Sequence, residues 1–132
     1  MSIHVILVDD EQDVEFIFQV HLRKWIKSNN IQFEFALSGN VALDILDSIK
    51  DDEPVIILSD INMPDMDGME LTRTVRSKHP DIPIFIVSAY NDQKHIDDAL
   101  SNGVTEYFTK PVDFDGLKKS LIQVFPNLSV AC

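Results

Sequence analysis

Val55-Ile56-Ile57-Leu58-Ser59-Asp60-Ile61-Asn62-Met63-Pro64 runs from a wholly apolar stretch into a carboxylate, and that junction decides how the chain is read. A short continuous run of branched aliphatic residues marks a strand covered on both faces, the usual state of a parallel strand beneath helices. An acid at the end of such a strand is costly unless something nearby uses its charge. Outward from this run, Val5 to Val8, Phe33 to Leu37, Ile84 to Val87 and Glu106 to Thr109 read as four further strands. Between them lie segments with apolar residues at helical spacing, so the chain is predicted to be an α/β domain with a parallel sheet.

The helical stripes are Val14, Ile17, Phe18, Leu22 and Trp25; Val41, Ala42, Ile45, Leu46 and Ile49; a weaker one at Leu71 and Val75; Ile96, Ala99 and Leu100; and Phe114, Leu117, Leu121, Val124 and Phe125. Asn29-Asn30 is expected to stop the first helix and Pro126 the fifth. The core is expected to be complete by Phe125, giving one domain over residues 1–126 and a short C-terminal tail over 127–132. No repeat, low-complexity segment or linker interrupts the 132 residues, and 45% hydrophobic content suffices for one core.

Asp and Glu total 22 against 11 Lys and Arg, a formal net charge of -11. Such a surface repels phosphate backbones and anionic lipid heads, so no direct nucleic-acid binding is expected. No apolar run approaches the ~20 residues that cross a bilayer, so no membrane insertion is expected either. The sole cysteine is the last residue, Cys132, which excludes an internal disulfide and fits a reducing, cytoplasmic location. The N-terminal stretch Met1 to Asp10 lacks a basic lead-in and meets carboxylates early, unlike a signal peptide.

Four strands end in residues that a buried strand avoids: Asp9-Asp10, Asp60, Ser88 and Lys110. In an open doubly wound sheet, ligand sites form beyond the carboxyl ends of the strands, so these residues are expected to converge in one pocket. Three carboxylates together repel one another, and a hard divalent cation relieves the repulsion. Magnesium suits an all-oxygen set with one or two protein carboxylates. Zinc does not fit, because His4, His21, His79 and His95 are scattered and no cysteine accompanies the acids. Asp9 and Asp10 have a simpler alternative as caps of the first helix.

From Asp60 the sequence continues Ile61-Asn62-Met63-Pro64-Asp65-Met66-Asp67-Gly68, and with Asp9-Asp10, Ser88-Ala89 and Lys110-Pro111 it resembles the receiver domain of two-component response regulators. The resemblance covers nearly the whole chain. It implies a flavodoxin-like, doubly wound sheet of five parallel strands in the order 2-1-3-4-5 with five flanking helices. It further implies that Asp60 is the phospho-acceptor, attacking the phosphorus of a phosphohistidine on a sensor histidine kinase or histidine phosphotransfer protein. Asp10, Asp60 and the backbone carbonyl of Asn62 would ligate Mg2+, with Asp9 acting through water and Mn2+ able to substitute. Lys110 and the Ser88 hydroxyl would bind the phosphoryl oxygens, and Lys110-Pro111 would be a cis bond. Ser88 and Tyr107 would form the switch that reads the phosphate.

The output face implied by the family bears Gln93, Lys94, His95, Lys118 and Lys119, facing a downstream effector protein or domain; a phosphorylation-dependent homodimer is a further expectation. The chain is thus expected to be a signalling receiver that catalyses only its own phosphorylation and dephosphorylation. Two other classes stay open on the residues. A magnesium-dependent phosphatase with an aspartyl intermediate lacks its D-x-D spacing at Asp9-Asp10-Glu11-Gln12. A phosphate-independent interaction module would not need the full polar set. Gly39, Gly68, Gly103 and Gly116 match neither nucleotide-binding glycine pattern.

Overall fold

A computed structural model describes residues 2–131; Met1 and Cys132 lie outside the described residues. Five strands, β1 (Ile3–Val8), β2 (Ile31–Ala36), β3 (Val55–Ser59), β4 (Ile84–Ser88) and β5 (Glu106–Thr109), form one parallel sheet in the order β2-β1-β3-β4-β5. This is the doubly wound, flavodoxin-like order expected. Among the described residues, six α-helices cover it: α1 (Asp13–His21), α2 (Arg23–Lys27), α3 (Gly39–Asp47), α4 (Gly68–Lys78), α5 (Gln93–Ser101) and α6 (Phe114–Val124). A 3-10 helix, Pro126–Ala131, follows.

Strand alternation sorts the apolar residues into two cores. Ile6 and Val8 of β1, Ile57 of β3 and Ile86 of β4 pack with Ala42, Leu46, Leu71, Val75 and Ala99 under α3, α4 and α5. Val5, Leu7, Ile56, Leu58 and Phe85 face the other way, onto Phe18, Leu22, Trp25, Leu117 and Leu121 of the first two helices and α6. Both faces are therefore buried, which is why the central strands read as unbroken apolar runs.

Three expectations are corrected. The first helical stripe is two helices, because Leu22 leaves helical geometry at φ -100 and ψ 10 between α1 and α2, making six helices and not five. Ile17 points outward at 46% exposure beside the exposed Phe16 and Val20, and Val41 and Leu100 are likewise exposed. The core also extends past Phe125. Leu128 is 1% exposed and its carbonyl accepts a hydrogen bond from the Trp25 indole at 3.0 Å, so the 3-10 helix closes the bottom of the second core. The stops fall as read: Asn29 adopts a left-handed φ of 62 after α2, and α6 ends immediately before Phe125-Pro126.

Candidate functional site

Strand order reverses at β1, which hydrogen-bonds β2 on one side and β3 on the other, so the loops after β1 and β3 diverge and leave a crevice at the carboxyl edge. Asp9 follows β1 and Asp60 follows β3, side by side. The Asp60 amide donates to the Val8 carbonyl at 3.0 Å, fixing the two strand ends in register. Asp9 is 2% and Asp60 8% exposed, whereas Asp10 is exposed. Carboxylate oxygens of all three lie within 4.8 Å of one another.

Each buried carboxylate is held on both oxygens, as burial of a charge demands. Asp60 Oδ1 accepts from the Ile61 amide at 2.7 Å and the Asn62 amide at 3.4 Å, and Oδ2 faces Lys110 Nζ at 3.1 Å. Asp9 Oδ1 accepts from the Glu11 amide at 2.9 Å, and Oδ2 faces the same Nζ at 3.1 Å. Lys110 therefore bridges the two acids. Burial pushes the Asp9 carboxyl above its ordinary value, against the lowering effect of the Glu11 amide and of Lys110. Burial pulls the Lys110 ammonium down, but its hydrogen bond to Asp9 and the charge of Asp60 outweigh that and leave it above its ordinary value. Neither acid caps α1, whose N-cap is Gln12 with no side-chain bond.

Ser88 ends β4 fully buried, and its Oγ accepts from the Tyr90 amide at 3.1 Å. Its carbonyl accepts from the Lys110 amide at 2.8 Å, which ties the ends of β4 and β5 together above the pocket. The Lys110-Pro111 bond is cis, as expected. Tyr107, half-buried on β5, donates its hydroxyl to the Tyr90 carbonyl at 2.6 Å, and burial holds its phenol above the ordinary value. Ser88 and Tyr107 thus hold the same residue, Tyr90, one at its amide and the other at its carbonyl.

The sequence reading missed two contributors. Gly68 begins α4 against the loop after β3: a Cβ there would lie 2.2 Å from the Asp60 carbonyl oxygen, and the Gly68 amide donates to the Ile61 carbonyl at 2.8 Å. Tyr90 stacks on His95 with centroids 4.2 Å apart, and His95 Nδ1 lies 2.7 Å from Asp92 Oδ1, so the loop after β4 is clamped to the start of α5. Glycine at a helix start and an aromatic two places after Ser88 were visible signals, but neither spacing specifies these contacts. Lys118 and Lys119, which the sequence reading did name, line a groove with residues of α1 and α2. They were expected on one face with Gln93, Lys94 and His95 of α5.

The donor set fits magnesium. It consists of oxygens alone, from Asp9, Asp10 and Asp60, and neither histidine nor cysteine joins it among the described residues. Among the described residues no helix is long and apolar enough to cross a membrane.

The family model of the response regulator receiver domain matches residues 5–122. The transcriptional regulatory protein ZraR of Klebsiella oxytoca is 32% identical over 126 residues, which is 96% of this chain and 27% of ZraR. DegU of Brevibacillus brevis is 28% identical, with 88% of this chain and 47% of DegU aligned. The chain therefore spans between about a quarter and a half of these relatives. The Vibrio cholerae chemotaxis protein CheY4 superposes with a TM-score of 0.79 at 26% identity, covering 95% of this chain and all of the other. A co-crystal structure of the Saccharomyces cerevisiae histidine phosphotransfer protein Ypd1 with the receiver domain of Ssk1 matches with a TM-score of 0.78 at 25% identity, covering 92% of this chain and 87% of the other.

Proposed function

The chain belongs to the response regulator receiver domains of two-component signal transduction, and from that premise we propose that Asp60 accepts a phosphoryl group from a phosphohistidine on a sensor kinase or phosphotransfer protein. The observation that carries this reading is the meeting of Asp9 and Asp60 on one ammonium, Lys110 Nζ, with Asp10 at the mouth.

In the transfer, an Asp60 carboxylate oxygen forms a bond to phosphorus as the phosphorus–nitrogen bond breaks, and the electron pair leaves with the imidazole. The two backbone amides on Oδ1 hold the carboxylate in one orientation, which is the positional part of catalysis. Charge in the transition state sits on the equatorial phosphoryl oxygens. Lys110 is already poised to neutralise that charge, and the Ser88 hydroxyl supplies a donor on the β4 side. Asp10, Asp60 and the Asn62 carbonyl would hold Mg2+ directly and Asp9 through water. When bound, the ion neutralises the acids and the incoming phosphoryl charge; Mn2+ has the same ligand preferences.

Once formed, the phosphoryl group offers Ser88 Oγ a new acceptor. Because Oγ accepts from the Tyr90 amide while its O–H is free to donate, drawing Ser88 toward the phosphate carries Tyr90 with it, and Tyr107 follows because its hydroxyl holds the Tyr90 carbonyl. An effector protein or domain, or a second phosphorylated copy, would then read the face around β5 and α5. Chemistry on the chain is confined to gain and loss of its own phosphate.

The test is intact mass after incubation with Mg2+ and acetyl phosphate, for wild type and Asp60→Asn. A single phosphate adduct on wild type, absent from the variant, is the expected result. No adduct on wild type, or an equal one on Asp60→Asn, would overturn the assignment.

A further inference from the structure

Away from the acidic pocket, the groove between α1, α2 and α6 gathers charge of the opposite sign to the chain as a whole. It encloses about 510 Å3. Arg23, Lys24, Lys118 and Lys119 line it, four of the 11 Lys and Arg in a chain of net charge -11, with Asp115 the one acid in the lining. Among the described residues, none of these four cations has a carboxylate within 4.0 Å; the close carboxylate contacts fall on Lys110, His4 and His95. Cations left without internal partners, gathered around a concave wall, make a local positive potential that survives the acidic surroundings only at short range. Between the cations the lining is apolar, with Val20 49% exposed beside Trp25 and Ile122.

We propose that this groove docks an acidic amphipathic helix of a partner protein. Carboxylates one helical turn apart would meet Arg23 and Lys24 on one wall and Lys118 and Lys119 on the other, while apolar side chains between them cover Val20 and Ile122. Charge complementarity selects this occupant over a nucleic acid. The charge of a nucleic acid continues beyond the groove onto an acidic surface, whereas a short helix confines its carboxylates to the basic walls. The surface is separate from α5 and from the phosphate site, so a partner seated here leaves Asp60 chemistry untouched.

The experiment is selection of a displayed random-peptide library against the folded chain, then binding measurements on the enriched peptides with wild type, Lys118→Glu/Lys119→Glu and Lys94→Glu. Acidic amphipathic peptides are expected to enrich, and the double reversal to weaken them by about tenfold or more. Lys94→Glu on α5 should change binding by less than about twofold. Amide NMR shifts should be confined to α1, α2 and α6. Failure of acidic sequences to enrich, peptides indifferent to the double reversal, or a single-stranded oligonucleotide that binds more tightly through the same lysines would each overturn the proposal. Labelling of the double variant by acetyl phosphate should match wild type, which shows it is folded and separates this outcome from the Asp60 reading.

Discussion

Each end of the sheet sets one nitrogen-bearing side chain between two carboxylates, and the two arrangements differ in which partner is buried. At the carboxyl end, Lys110 lies 3.1 Å from both Asp9 and Asp60, and the acids are the buried members. At the amino end, the imidazole of His4 is the buried member. Its Nε2 lies 3.2 Å from Glu53 and its Nδ1 3.9 Å from Glu34, both acids being 40% exposed, and Nδ1 has no hydrogen-bond partner. Water can screen the lower pair of acids, so their charges need no further partner. At the upper end two buried carboxylates share a single ammonium and the exposed Asp10 adds a third acid at the mouth, and it is this excess that suits a divalent cation and a phosphoryl group. A polar cluster becomes a chemical site when its charges are desolvated and unbalanced, whatever its residue count.

The comparison can be broken most severely at Gly68. Gly68→Ala drives a methyl group into the Asp60 carbonyl and should cost about 3 kcal/mol of stability, read from the denaturation midpoint, because backbone and not a flexible side chain is in the way. A midpoint near wild type would show that the α4 start is not rigidly packed on the loop that carries Asp60.

Next, Lys110→Ala leaves Asp9 and Asp60 facing each other without their shared ammonium. The rate of labelling by acetyl phosphate should fall by about 100-fold, the scale of losing one preorganised charge-stabilising group. The fold should persist, since neutralising one acid relieves the repulsion.

A smaller effect, of opposite sign, is expected at Asp9. Its carboxyl is held above the ordinary value by burial, so the folded chain retains a proton that the unfolded chain has lost, and stability falls as pH rises through that window. Asp9→Asn should therefore raise the denaturation midpoint at neutral pH, by about 1 kcal/mol. The gain should fade in acid, where Asp9 is protonated in both states. A variant less stable than wild type at neutral pH would mean that the ion pair with Lys110 outweighs burial.

The smallest change belongs to the amino end. Glu53→Gln removes a half-exposed partner of His4 and should cost less than about 1 kcal/mol, with phosphate labelling unchanged. A measurable loss of labelling would link the two ends and end the contrast between them.

Much of this was legible in the chain itself. Apolar runs marked five strands, β2 two residues late at its start, and polar terminators marked the carboxyl ends of four of them, because a buried strand has no other use for Asp, Ser or Lys at its tip. Helix content was less legible. The stripe from Val14 to Trp25 is continuous at helical spacing, yet the helix breaks at Leu22 and turns Ile17 outward, since where a helix bends depends on what it packs against. Leu128 could not be read as core, because its burial depends on Trp25, distant in sequence, supplying the hydrogen bond that orders the last turn. The facing of Lys118 and Lys119 toward α1 and α2 depended in the same way on how α6 lies across the sheet.

Asp9 and Asp10 mark the division most clearly. By itself the sequence determined that two acids end β1 and that a third ends β3, which is a matter of residue chemistry and hydrophobic pattern. It could not distinguish the neighbours. Only the tertiary structure decided that Asp9 turns inward onto the Glu11 amide and Lys110 while Asp10 stays exposed at the mouth. The physical reason is that the groups deciding the matter, the Lys110 ammonium and the carboxylate of Asp60, reach Asp9 from two other strands, and only their packing in one sheet brings them there.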